Sequence, residues 1–167
     1  GGALQVESVE DQGSTFTIKL KYGKLKGDEK STSNGRLGSE VSLKGVNILL
    51  VEDNKINQFV ASKLLEKWDS SYDIAENGDV ALTALNEKEY DLVLMDIQMP
   101  VKDGYETTKI IRNSKDSWFE DIPIIALTAE NIQEIMGEAF QVGMNDFVTK
   151  PFNPDELYRK IVKKIGK

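Results

Sequence analysis

From Val46 to the end of the chain, short aliphatic runs alternate with stretches whose apolar residues recur every three or four positions. The runs are Val46–Val51, Tyr72–Ala75, Leu92–Met95, Ile122–Leu127 and Phe147–Val148, and their lengths suit strands. Between them the spacing predicts helices over Ile56–Trp68, Asp79–Asn86, Tyr105–Arg112, Ile132–Val142 and Pro154–Ile165. Ile56, Phe59, Val60 and Leu64 share one face of the first helix, and Leu157, Ile161 and Ile165 share one face of the last. The middle strands are almost wholly apolar, as strands become when helices cover both faces of a sheet. Five strand–helix units in a row predict an α/β fold, a doubly wound five-stranded parallel sheet in the order 2-1-3-4-5.

The first residues carry a different pattern. Leu4 and Val6 alternate with polar residues, Glu10-Asp11-Gln12-Gly13 reads as a turn, and Phe16, Ile18, Leu20 and Tyr22 alternate with Thr15, Thr17, Lys19 and Lys21. This predicts a β-hairpin over residues 1–22, an element that is marginal in water by itself. Residues 23–45 contain five glycines and four serines among scattered charges and read as a flexible linker. The alternating domain then occupies residues 46–167.

Composition removes several chemistries. The 167 residues include no cysteine, which excludes disulfides and thiolate sites, and no histidine, which excludes imidazole bases and any phosphohistidine carried by this chain. With 40% apolar and 29% charged residues it has the composition of a soluble globular protein. No uncharged run is long enough for a membrane helix, and the N-terminus does not read as a signal peptide, so no membrane contact is expected of this fragment. The net charge of −7 is uneven: residues 1–44 are near neutral, while residues 45–167 carry fourteen Lys/Arg against twenty-two Asp/Glu. A domain so acidic repels phosphate backbones, and no nucleic-acid binding is expected. A start at Gly1 without methionine suggests a piece of a longer protein.

Candidate chemistry lies where the apolar runs end. The first run leads into Glu52-Asp53, the third into Asp96, the fourth into Thr128, and the fifth into Lys150-Pro151. Open α/β sheets bind ligands beyond the carboxyl ends of their strands, where the strand order reverses, and here that point lies between strands one and three. Three carboxylates converging there repel one another and call for a cation. Oxygen-only ligation by an incomplete carboxylate set suits Mg²⁺ better than Ca²⁺. A cation, an ammonium and a hydroxyl around one carboxylate can stabilise a transferring phosphoryl group, and a carboxylate can itself accept that group. Asn77-Gly78 and Asp103-Gly104 read as turns, and Trp68 and Trp118 as packing residues.

Four segments together resemble a known family. Ile48–Asn54, Leu94–Pro100 with Asp103-Gly104, Ile125–Ala129, and Asp146–Phe152 look like the signatures of response-regulator receiver domains, over about residues 45–167. The resemblance implies a flavodoxin-like fold in which Asp96 is the phosphoacceptor. It implies further that Asp53, Asp96 and the backbone carbonyl of Gln98 bind Mg²⁺, with Glu52 acting directly or through water. Lys150 would pair with the phosphoryl group, Thr128 would donate its hydroxyl, and Phe147 would occupy the aromatic switch position. The N-terminal residues 1–18 resemble the last hairpin of a histidine-kinase ATPase domain, without that domain's ATP-binding boxes. Hairpin remnant, linker and receiver in this order resemble the C-terminal part of a hybrid sensor histidine kinase with no DNA-binding module after it.

The implied function is a phosphorelay receiver that takes a phosphoryl group from a partner phosphohistidine onto Asp96. A downstream histidine phosphotransfer protein is an expected partner, and the expected location is the cytoplasmic portion of a sensor kinase. Enzymatic activity would be limited to promoting the chain's own phosphorylation and dephosphorylation. The alternative is an aspartate-nucleophile phosphatase of small phosphomonoesters. Such enzymes place a second Asp two residues after the nucleophile, where this chain has Gln98. Flavin binding is disfavoured because Asn54-Lys55-Ile56-Asn57 is a poor substitute for a phosphate loop. The orphaned hairpin, with an open strand edge, is expected to support self-association.

Overall fold

A computed structural model of the chain describes residues 3–9, 13–19, 42–115, 117–129 and 132–166. It divides into two compact units. In the first, β1 (Ala3–Val9) pairs antiparallel with β2 (Gly13–Lys19), in a register running from Ala3 opposite Lys19 to Val9 opposite Gly13. The expected turn at residues 10–12, the strand extension through Leu20–Tyr22 and most of the expected linker lie outside the described residues.

The second unit runs β3 (Asn47–Val51), α1 (Lys55–Lys67), β4 (Ser71–Ala75), α2 (Gly78–Glu87), β5 (Leu92–Asp96), α3 (Gly104–Asn113), β6 (Ile124–Thr128), α4 (Ile132–Gln141), β7 (Asp146–Thr149) and α5 (Pro154–Lys164). All strand pairs are parallel, in the order β4-β3-β5-β6-β7, which is 2-1-3-4-5 counted from β3. Alternate side chains feed two cores. Leu49, Val51, Val93, Met95 and Ala126 pack with Ala81 and Leu85 of α2, Ile111 of α3 and Ala139 of α4. Ile48, Leu50, Leu94, Leu127 and Val148 pack with Ala61 and Leu65 of α1 and Leu157 and Ile161 of α5. Fully apolar strands and helices on both faces are therefore two sides of one arrangement.

The structure refines several of the sequence readings. Packing begins before Val46, because Leu43 is fully buried in the second core and its N–H donates to Trp68 O at 3.0 Å. Helix α1 does not face the sheet with Ile56, Phe59 and Val60, which are 74%, 61% and 41% exposed; its buried residues are Gln58, Ala61, Ser62 and Leu65. Both sets obey helical spacing, and the small Ala61 and Ser62 let the helix lie close to the strands while Gln58 satisfies its amide on the Glu52 carbonyl at 2.6 Å. Asn77-Gly78 and Asp103-Gly104 are helix starts and not free turns: Asn77 accepts from Val80 N–H and Asp103 from Glu106 N–H, capping α2 and α3. Trp68 is buried against Tyr158, with ring centroids 5.3 Å apart, whereas Trp118 is 43% exposed and forms a T-shaped pair with Phe119.

Candidate functional site

The parallel sheet brings the carboxyl ends of β3, β5, β6 and β7 to one side of the molecule, and the expected residues meet there. Glu52, Asp53, Asn54, Asn57, Asp96, Gln98, Thr128 and Lys150 line a cleft of about 190 Å³. One carboxylate oxygen each from Glu52, Asp53 and Asp96 lie within 4.8 Å of one another. Lys150 stands between two of them, its Nζ 2.7 Å from Glu52 Oε2 and 2.7 Å from Asp96 Oδ2. Thr128 is buried at the end of β6, and its carbonyl accepts the Lys150 N–H at 2.7 Å, which fixes the backbone from which the ammonium reaches inward.

The two bridged carboxylates differ in their surroundings. Asp96 is 4% exposed, and burial pushes its carboxyl up to about 6, against the opposing pull of the Lys150 ammonium and the Gln98 N–H, which donates to Oδ1 at 3.2 Å. Glu52 is wholly buried. Its Oε1 accepts from Asn54 N–H at 3.2 Å and from Asn57 Nδ2 at 3.0 Å, while Oε2 has the Lys150 ion contact and no hydrogen bond of ordinary geometry. Gly104 allows the floor to be this tight, since a Cβ there would lie 2.2 Å from the Asp96 carbonyl oxygen.

Three clustered carboxylates, two of them bridged by one ammonium, with hard oxygen donors and one buried oxygen lacking a hydrogen bond, fit a hard divalent cation. Phe147 is not among the cleft residues. Its ring lies on β7 with Phe140 6.5 Å away edge-on and Lys160 Nζ 4.2 Å from its centroid. Lys160 also donates to Asp146 Oδ1 at 2.9 Å and to the Phe147 carbonyl. The roles of Asn57 and Gln58 were not read from the sequence, although both are polar residues one helical turn beyond Glu52-Asp53.

Comparison with known proteins follows the same lines. The family model for the response regulator receiver domain matches residues 48–162. The aerobic respiration control sensor protein ArcB of Escherichia coli is 35% identical over 98% of this chain and 20% of its own length. Histidine kinase 5 of Arabidopsis thaliana is 34% identical over 94% of this chain and 18% of its own. The chain thus spans about a fifth of the length of these curated relatives. A sensor histidine kinase receiver domain from Pseudomonas aeruginosa, with a magnesium ion coordinated in its active site cleft, is 39% identical with a TM-score of 0.67, covering 74% of this chain and 99% of that one. A Saccharomyces cerevisiae receiver domain in complex with a histidine phosphotransfer signalling protein gives 38% identity and a TM-score of 0.66, covering 74% of this chain and 90% of that one. The phosphatase alternative gains no support, since the side chain two residues after Asp96 is the exposed amide of Gln98.

Proposed function

The chain belongs to the response regulator receiver domain family, and from that premise we propose that Asp96 accepts a phosphoryl group from a partner's phosphohistidine. The observation that carries this reading is the Lys150 bridge, which holds an ammonium against the buried acceptor inside an acidic cleft. An Asp96 carboxylate oxygen forms the new O–P bond as the P–N bond breaks, and the imidazole leaves with its electron pair. Lys150 Nζ and the Thr128 hydroxyl offset charge on the phosphoryl oxygens. Asp53, Asp96 and the Gln98 carbonyl would hold Mg²⁺, with Glu52 direct or through water. When bound, the ion supplies charge neutralisation of the carboxylates and the incoming phosphoryl group. Phe147 serves as the switch aromatic.

The partner is a histidine-bearing phosphotransfer or kinase domain, and α1 offers it a landing face. Asn54 and Asn57 line the cleft, so the exposed Ile56, Phe59 and Val60 of the same helical turns stand beside its mouth. Exposed apolar side chains so grouped mark an interaction surface. The hairpin of β1 and β2 is a kinase ATPase-domain remnant, and a linker leads from it into a receiver whose packing begins at Leu43. The parent is a hybrid sensor kinase with this portion in the cytoplasm. Among the described residues no helix is long and apolar enough to cross a membrane.

The test is chemical labelling. Acetyl phosphate with Mg²⁺ is expected to add one phosphoryl group to the wild-type chain by intact mass and none to Asp96→Asn. Persistent labelling of that variant would overturn the acceptor assignment.

A further inference from the structure

Asn54-Lys55-Ile56-Asn57 makes a poor phosphate loop, yet its two asparagines contact the deepest carboxylate of the cleft. We propose that Asn57 is a positioning residue for Glu52, acting with the Asn54 amide to reserve Oε1 and present Oε2 alone to the metal site; the inference rests on the Mg²⁺ reading above.

A glutamate carboxylate has two equivalent oxygens and a broad terminal torsion, so burial alone does not decide which oxygen faces a ligand. Here the two are told apart. Oε1 takes two N–H donors, at 3.0 Å from Asn57 and 3.2 Å from Asn54, and Oε2 takes the Lys150 contact at 2.7 Å. A carboxylate without a proton only accepts, so the Asn57 carboxamide must present its NH₂ side. Both donors are neutral and add no charge to compete with Lys150 or with a cation. They are also fixed in place. Asn54 caps α1 by accepting from Ile56 N–H at 2.9 Å and Asn57 N–H at 3.3 Å, and Gln58 grips the Glu52 carbonyl at 2.6 Å. The first turn of α1 therefore brackets both the main chain and the side chain of Glu52. A carboxylate oriented in advance loses less freedom when an ion binds, and partners of this kind are worth roughly 10–100-fold in metal affinity.

Titration calorimetry of the full chain with Mg²⁺ tests this directly. Asn57→Ala is expected to weaken Mg²⁺ binding about tenfold with little change in metal-free melting. Asn57→Leu, which keeps the volume without the donor, is expected to do the same. In a Glu52→Gln background Asn57→Ala should then change the affinity no further, because its effect runs through that carboxylate. Equal affinity in wild type and both Asn57 variants would overturn the inference, as would an undiminished effect in the Glu52→Gln background. Absence of Mg²⁺ binding by the wild-type chain would instead overturn the metal reading itself.

Discussion

In the proposed role of acceptor Asp96 carries two demands that oppose each other, since an acceptor must be ionised to attack and a buried carboxyl resists ionisation. Its folded value of about 6 lies above the ordinary 3.8, so folding favours the protonated form. The stability this contributes is complete below about pH 4 and is lost as pH rises through 6. At pH 7 without metal the cost is on the order of 2–3 kcal/mol at most. Asp96→Asn is therefore expected to be more stable than wild type at pH 7 in chelator, with the difference vanishing near pH 4. Urea denaturation at the two pH values measures it, and a pH-independent difference would contradict the burial argument. At this scale the sequence was highly legible: each of Glu52, Asp53, Asp96, Thr128 and Lys150 follows an apolar run, and parallel topology alone carries such positions to one end. Asn57 and Gln58 were not legible, because a polar residue early in a helix reads as solvated surface until the fold shows what it bonds.

Helix α1 shows that periodicity locates an element without fixing its rotation. The spacing puts Ile56, Phe59, Val60 and Leu64 on one face, but of these Leu64 alone packs against the core, and the sheet accepts Ala61, Ser62 and Leu65 together with the amide of Gln58. Periodicity measures where apolar residues are, and an apolar face kept for a partner gives the same signal as one kept for a core. The two faces are separable by mutation. Leu65→Ala is expected to cost about 2–5 kcal/mol of stability, whereas Phe59→Ser should shift the denaturation midpoint little while slowing phosphotransfer from a histidine donor. A large stability loss at Phe59 would return that face to the core. The capping residues are a second instance: Asn77 and Asp103 precede glycines and read as turns, and only the N–H groups of Val80 and Glu106 reveal them as helix starts. At one edge of the sheet β7 pairs, among the described residues, with β6 alone, and the Phe147 main chain is met by Asp146 Oδ1 and Lys160. Edges blunted this way resist unwanted pairing.

The second unit gathers three carboxylates at one end of its sheet, so its stability should respond to ions. Mg²⁺ at tenfold its dissociation constant is expected to add about 1.4 kcal/mol, read as a rise in melting temperature. Asp53→Asn should melt higher than wild type in chelator and gain less from Mg²⁺; identical behaviour of the two would contradict carboxylate repulsion as the cause. The first unit makes a separate contribution. Among the described residues its two strands pair only with each other, and the expected result is concentration-dependent self-association that a chain starting at Gly38 lacks. That start keeps Leu43, whose burial a cut at Lys44 would undo. Equal sedimentation of both chains at high concentration would refute it. Near the opposite ends of the strands, Arg112 ties α3 to the carbonyls of Gly143, Glu120 and Ile122 and to Asn145 Oδ1. Lys150 has a further consequence. By spanning Glu52 and Asp96 it is a tethered counter-ion, one the protein cannot lose to dilution or chelation. In the proposed reaction that ammonium is in place beforehand, beside the carboxylate on which new negative charge would appear.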